Sequence, residues 1–104
     1  MKKLLLTTTL MAASTMSMAA TDMKVSEALD ARDDSIATLT GTLGKSLGHE
    51  RYEFSDDSGT MVVEIDRDIS RHIDLKSGQD VTLYGEIERE HDGNELEVDF
   101  LKVN

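Results

Sequence analysis

The chain has 104 residues, no Cys, Pro or Trp, and 21 acidic against 11 basic residues, for a formal net charge of −10. Without cysteine no disulfide can staple the fold, so packing alone must hold it. Charge this negative repels phosphate backbones and anionic membrane surfaces, and it favours cationic partners.

The first segment does not belong to the fold. Lys2-Lys3 gives a basic start, Leu4 to Met16 is an apolar run, and Ser17-Met18-Ala19 matches a small-x-small cleavage site. The pattern predicts a Sec-type signal peptide over residues 1–19. A membrane anchor needs roughly 20 strongly apolar residues, and Thr7-Thr8-Thr9 and Ser14-Thr15 dilute this run. With no Cys after it, no lipid anchor is expected. The protein is therefore expected in the periplasm, not inserted in a membrane. Residues 20–104 are expected to form a single small domain of 85 residues with 9 basic against 21 acidic side chains, net −12. That size lies near the lower limit for a self-sufficient core.

Thr21-Asp22 can cap a helix. Val25, Ala28 and Leu29 follow at i, i+3 and i+4, a short apolar stripe ended by Asp33-Asp34. A helix this short must dock on a sheet to persist. Ser35 to Leu47 reads as a long strand, with Leu39, Gly41 and Leu43 on one face and Thr38, Thr40 and Thr42 on the other. Interior glycines mark bulges or sharp coiling. A long coiled strand lets one ribbon pair on both sides of a small barrel.

Arg51 to Asp66 reads as a hairpin. Tyr52, Phe54, Met61, Val63 and Ile65 alternate on either side of Asp56-Asp57-Ser58-Gly59, which is a turn sequence. With Asp57-Ser58 at the centre, Phe54 faces Met61, Tyr52 faces Val63, and Arg51 faces Glu64 as an ion pair on the other side. Asp66 to Gly78 is a connection in which Ile69 and Ile73 allow one helical turn over the barrel end. Val81, Leu83, Gly85 and Ile87 line the inner face of a fourth strand, and Leu96, Val98 and Phe100 that of a fifth. Between them, His91-Asp92-Gly93-Asn94 signals a tight hairpin.

The expected fold is mainly β: a five-stranded, partly open Greek-key barrel with a short N-terminal helix, which is the OB-fold. The chain resembles the bacterial OB-fold (BOF) proteins, small periplasmic proteins of the YgiW/YdeI type. The resemblance is carried by Val25-Ser26-Glu27-Ala28-Leu29, Asp33-Asp34 and Leu39-Thr40-Gly41-Thr42-Leu43. It continues through Tyr52-Glu53-Phe54-Ser55-Asp56, Val62-Val63-Glu64-Ile65-Asp66, Leu83-Tyr84-Gly85-Glu86-Ile87 and Glu95-Leu96-Glu97-Val98-Asp99. Members often carry a Trp after the third strand, where this chain has Arg71-His72. The resemblance implies envelope stress tolerance through binding of a small solute or an envelope component, without catalysis and without a cofactor.

The last hairpin carries the most informative charge pattern. With Asp92-Gly93 at the turn, Gly85 faces Phe100 and Ile87 faces Val98. The same register sets Glu90 opposite Glu95, Glu88 opposite Glu97 and Glu86 opposite Asp99. Opposed like charges destabilise a strand pair. Such a strip is a solvated face screened by salt, a seat for a cationic solute, or a site for an oxygen-loving metal ion. No metal site is assigned: the EF-hand-like start at Asp66 lacks Gly at its sixth position and Glu at its twelfth. His49, His72 and His91 fall in separate connections without ligand spacing.

OB-folds bind on the face of the second and third strands, whose outward residues here are Arg51, Glu53, Val62 and Glu64. Tyr84 is the aromatic left free. Few basic residues flank it, so nucleic acid is not an expected partner. The candidate ligand-binding residues are thus Glu86, Glu88, Glu95, Glu97, Asp99, Arg51, Glu53, Glu64 and Tyr84, in a monomer. The other reading is an interaction module that docks on an envelope partner through a sheet edge or face. There is no Cys nucleophile and no Gly-x-Ser-x-Gly elbow, so no catalytic residue is assigned.

Overall fold

A computed structural model describes residues 20–104, and the signal-peptide reading of residues 1–19 lies outside them. The elements are β1 (Thr21–Asp22), α1 (Val25–Ala28), β2 (Ile36–Gly48), β3 (Arg51–Asp56), β4 (Gly59–Ile65), α2 (Arg67–Ser70), β5 (Gln79–Glu90) and β6 (Gly93–Val103). Strands pair in the order β1-β2-β3-β4-β6-β5, and β2 also pairs with β5. The five long strands therefore close into an OB-fold barrel, where the sequence suggested a partly open one. Closure is extensive: Ile36 to Leu43 of β2 lies antiparallel to Gln79 to Glu86 of β5.

The length of β2 makes this closure work. Its first half pairs with β5, while Thr42 onward pairs with β3 through two register irregularities. Gly41 sits at the handover: a Cβ there would collide with the Ser55 carbonyl oxygen and press on the Phe54 ring at 2.9 Å. Gly85 has the same role on β5, where a Cβ would strike the Glu97 carbonyl. Both glycines let two backbones approach more closely than any side chain allows.

Alternation fills the interior. Leu39, Leu43, Phe54, Val63, Ile65, Leu83, Ile87 and Leu96 are fully buried or nearly so. Each such side chain contributes about 1.5–3 kcal/mol relative to exposure. The β3–β4 register has the expected form, with Phe54 opposite Met61 and Tyr52 opposite Val63 around Asp57-Ser58. Ile69, Ile73 and Leu75 of the connection pack on the core from the barrel end. Asp66 caps α2, its Oδ1 accepting from the Asp68 amide at 3.1 Å.

The β5–β6 hairpin differs from expectation. The turn is centred on His91-Asp92, so Glu90 opposes Gly93, Glu88 opposes Glu95 and Glu86 opposes Glu97. The shift is even, so the core face of both strands is preserved near the turn. Beyond it, Gly85 pairs with Val98 but Tyr84 pairs with Phe100, leaving Asp99 as an extra bulged residue. A bulge reverses the inside–outside alternation. Phe100, expected in the core, is consequently 63% exposed, and Leu101 takes the inner position.

Helix α1 closes one end of the barrel, with Val25 and Ala28 fully buried. Thr21 and Asp22 do not cap it: they pair as β1, parallel to Ala37 and Thr38 of β2. The β3–β4 turn caps the helix instead. Asp56 Oδ2 accepts from the Val25 amide at 2.9 Å, and Ser58 Oγ accepts from the Ser26 amide at 3.0 Å. At the other end, the buried Asn94 Nδ2 donates to the Ala28 and Ala31 carbonyls at 3.0 and 2.8 Å. Two distant hairpins thus hold a helix too short to persist alone. Leu29, expected in the buried stripe, lies past the end of the helix and is 39% exposed.

Removing the Asn94 amide leaves two helix-end carbonyls short of a donor. Asn94→Ala is expected to cost about 1–3 kcal/mol, measured as a lower urea midpoint with an unchanged m-value. A surface substitution such as Asn104→Ala is expected to move the midpoint far less.

Candidate functional site

The outer face of β4, β6 and β5 gathers carboxylates. Glu64 stands opposite Glu97, and Glu97 opposite Glu86. In the adjoining row Val62 stands opposite Glu95, and Glu95 opposite Glu88. The strip predicted from the hairpin therefore exists, with its pairs re-matched and widened by Glu64 from a third strand. Asp99 drops out of the ladder because it is the bulged residue.

One cation serves this strip from β3. Arg51 faces Glu64 in the register, yet its Nε donates to Glu95 Oε1 at 2.8 Å. The Glu95 side chain is only 15% exposed, so it needs the counter-charge more than a solvated carboxylate does. The same hydrogen bond raises the pKa of the Arg51 guanidinium. Glu64 turns instead to a cleft of about 150 Å³ that it shares with Asp66, Asp68, Glu97 and Asp99. Among the described residues no set of His, Cys, Asp or Glu is spaced to hold a metal ion.

Glu88 absorbs the repulsion that remains. A hydrogen bond shared with Glu97, partial burial, and the charges of Glu97, Glu64 and Glu90 push its carboxyl up to about 7. A shared proton is how adjacent carboxylates relieve their repulsion. Glu53 lies apart from this cluster, 3.9 Å from Lys45 Nζ. Tyr84 is also apart, beside Phe100 on the outer surface of β5 and β6.

A groove of about 550 Å³ runs along β4 beside Arg51 of β3, flanked by the end of β2 and the β5–β6 turn. Leu29, Leu47 and Val62 give it apolar walls, while Arg51, Glu90 and Glu95 supply charge. OB-folds bind ligands on this face, between the loop joining the first two barrel strands and the loop joining the last two. Of the predicted residues, the groove takes Arg51 and Glu95, while the acidic cleft takes Glu64, Glu97 and Asp99. Leu29 and Leu47 were not read as site residues from the sequence, and Glu90 was read only as part of the carboxylate strip. Their only signal was position: each ends an element, where a side chain can escape the core.

The closed barrel, with a groove on the face where OB-folds hold ligands, defines an OB-fold. Residues 8–103 match the family described as bacterial OB fold (BOF) protein. The chain belongs to that family. It is 38% identical over 83 residues to the calcium-regulated OB-fold protein CarO of Pseudomonas aeruginosa, covering 80% of this chain and 72% of CarO. It is 30% identical over 79 residues to the protein YgiW of Escherichia coli K12, covering 76% of this chain and 59% of YgiW. The solved structure of the hypothetical protein YgiW from E. coli superposes with a TM-score of 0.73 at 27% identity, over 83% of this chain and 90% of that one. The second OB-fold domain of replication protein A from Methanococcus maripaludis, at 16% identity and a TM-score of 0.59, shares the fold alone over 80% of this chain and 94% of that one.

Two carboxyls set opposite pH trends. Glu88 titrates above its ordinary value of 4.5. Between 4.5 and about 7 the folded chain holds more protons there than the unfolded one. Stability from this group is therefore complete at the acidic end and lost as pH rises through about 7. Burial opposes ionisation of Asp56, but hydrogen bonds from Ser58, Val25 and Gly59 outweigh it and hold its carboxyl below the ordinary 3.8. Its stability is present above 3.8 and lost as pH falls below that value. The melting temperature is expected to rise from pH 8 to a maximum near about pH 5 and to fall below about pH 4. Glu88→Gln is expected to flatten the upper limb and leave the lower one in place, as read by calorimetry across this range.

Proposed function

We propose that this chain is an exported periplasmic protein of envelope stress tolerance. It binds a small or cationic solute, or an envelope component, without catalysing a reaction. The groove on the β3–β4 face carries the reading, because it pairs the fold's ligand-binding location with a carboxylate-rich wall. Family membership supports it, since an OB-fold hosts binding on this face. The name of CarO makes calcium one of the cations to test.

Melting curves of the purified protein with calcium, spermidine, a cationic peptide and cell-wall sugars test the proposal. A true ligand at about 100 times its Kd adds about 2.7 kcal/mol, which in a domain this size raises the midpoint by about 10 °C or more. Glu95→Gln is expected to reduce that rise. A flat response to every compound overturns the reading.

A second reading, an interaction module docking on an envelope partner, is favoured by the exposed Tyr84–Phe100 pair. Closure of the barrel leaves that sheet face a better docking surface than any strand edge. Phe100→Ser is then expected to abolish recovery of the partner on affinity beads while groove substitutions leave it unchanged. The reverse pattern rejects this reading.

A further inference from the structure

We propose that the groove is built for an amphiphilic monocation, a compact apolar body carrying one cationic head. The inference rests on the solute-binding reading above and names the chemical class of the solute. Five large hydrophobic side chains are exposed on the described surface, and two of them, Leu29 at 39% and Leu47 at 43%, line this one groove. They approach it from separate elements, one past the end of α1 and the other near the end of β2. Val62, part-buried on β4, adds apolar surface to the same groove. Apolar area left bare on one concavity is a surface waiting for an apolar body.

The groove is also charged. Glu90, Asp92 and Glu95 line it with one guanidinium, Arg51, and the imidazole of His91. Arg51 is committed to Glu95 at 2.8 Å. Among the described residues, neither Glu90 nor Asp92 makes an ion pair. The groove therefore carries unpaired carboxylates at the β5–β6 turn beside the apolar side chains. A bare metal ion or a polyamine leaves Leu29 and Leu47 uncovered. An anionic amphiphile would meet like charge at Glu90 and Asp92. An apolar body with one cationic head covers the leucines and meets the carboxylates, and about 550 Å³ suits a small molecule rather than a folded partner.

Titration calorimetry of the full protein with octyltrimethylammonium, kept below its micelle concentration, tests this. Tetramethylammonium supplies the head without the body, octanoate the body with the opposite charge, and spermidine and calcium supply charge alone. One-to-one binding of octyltrimethylammonium, at least about tenfold tighter than the other four, is expected. Leu47→Ser, at an exposed position, is expected to weaken it by about tenfold. Glu90→Gln is expected to narrow the preference over octanoate. Equal binding of octanoate, or an unchanged affinity in Leu47→Ser, overturns the amphiphile. Binding of spermidine or calcium with octyltrimethylammonium silent also overturns it, yet leaves the solute-binding reading standing. Silence from every compound, the cationic peptide and cell-wall sugars included, removes both.

Discussion

The structure depends on β2 pairing along both of its edges. Its first half bonds to β5 and its second half to β3, so the sheet returns on itself and no long edge is left for another chain. Closure also decides which alternate residues of every strand are interior. The requirement is stringent where strands cross closely. At Gly41 and Gly85 the facing carbonyls of Ser55 and Glu97 occupy the space of a side chain.

Closure explains why the outer face can hold so many carboxylates in register. The core residues Val63, Ile87 and Leu96 fix the inner positions, and the intervening positions must then face out together. Glu64, Glu97 and Glu86 are brought opposite one another by the burial of their neighbours, not by mutual attraction. The repulsion is relieved locally, by Arg51 at Glu95 and by the proton that Glu88 retains near neutrality. Such a strip stores an electrostatic cost that a cation or acid can release.

The four-residue helix links this frame to the groove. Its amides are capped from the β3–β4 turn, and its last carbonyls are bonded by Asn94 from the β5–β6 hairpin. The chain that leaves it carries Leu29 into one groove wall, while the β5–β6 turn supplies the charged wall. Both walls are therefore tied to the same short element. Loosening Asn94 would disturb the shape of the groove as well as the stability of the barrel.

The sequence by itself determined the five long strands, the short helix, the inner residues of β2 to β5 and the register of the β3–β4 hairpin. Each of these follows from period-2 alternation and local turn chemistry, which act over a few residues. It also determined that the last hairpin would present carboxylates near its turn, because an even shift of register keeps the side chains there on their face. Only the tertiary structure decided what depends on distant neighbours. The Asp99 bulge arises where β6 meets β5, and it turned Phe100 outward. Thr21 and Asp22 found a strand to pair with, Asp56 and Asn94 found the helix, and Arg51 found Glu95 instead of Glu64. The groove belongs to the same class, because its walls come from β2, the end of α1 and the β5–β6 turn, which local pattern cannot bring together.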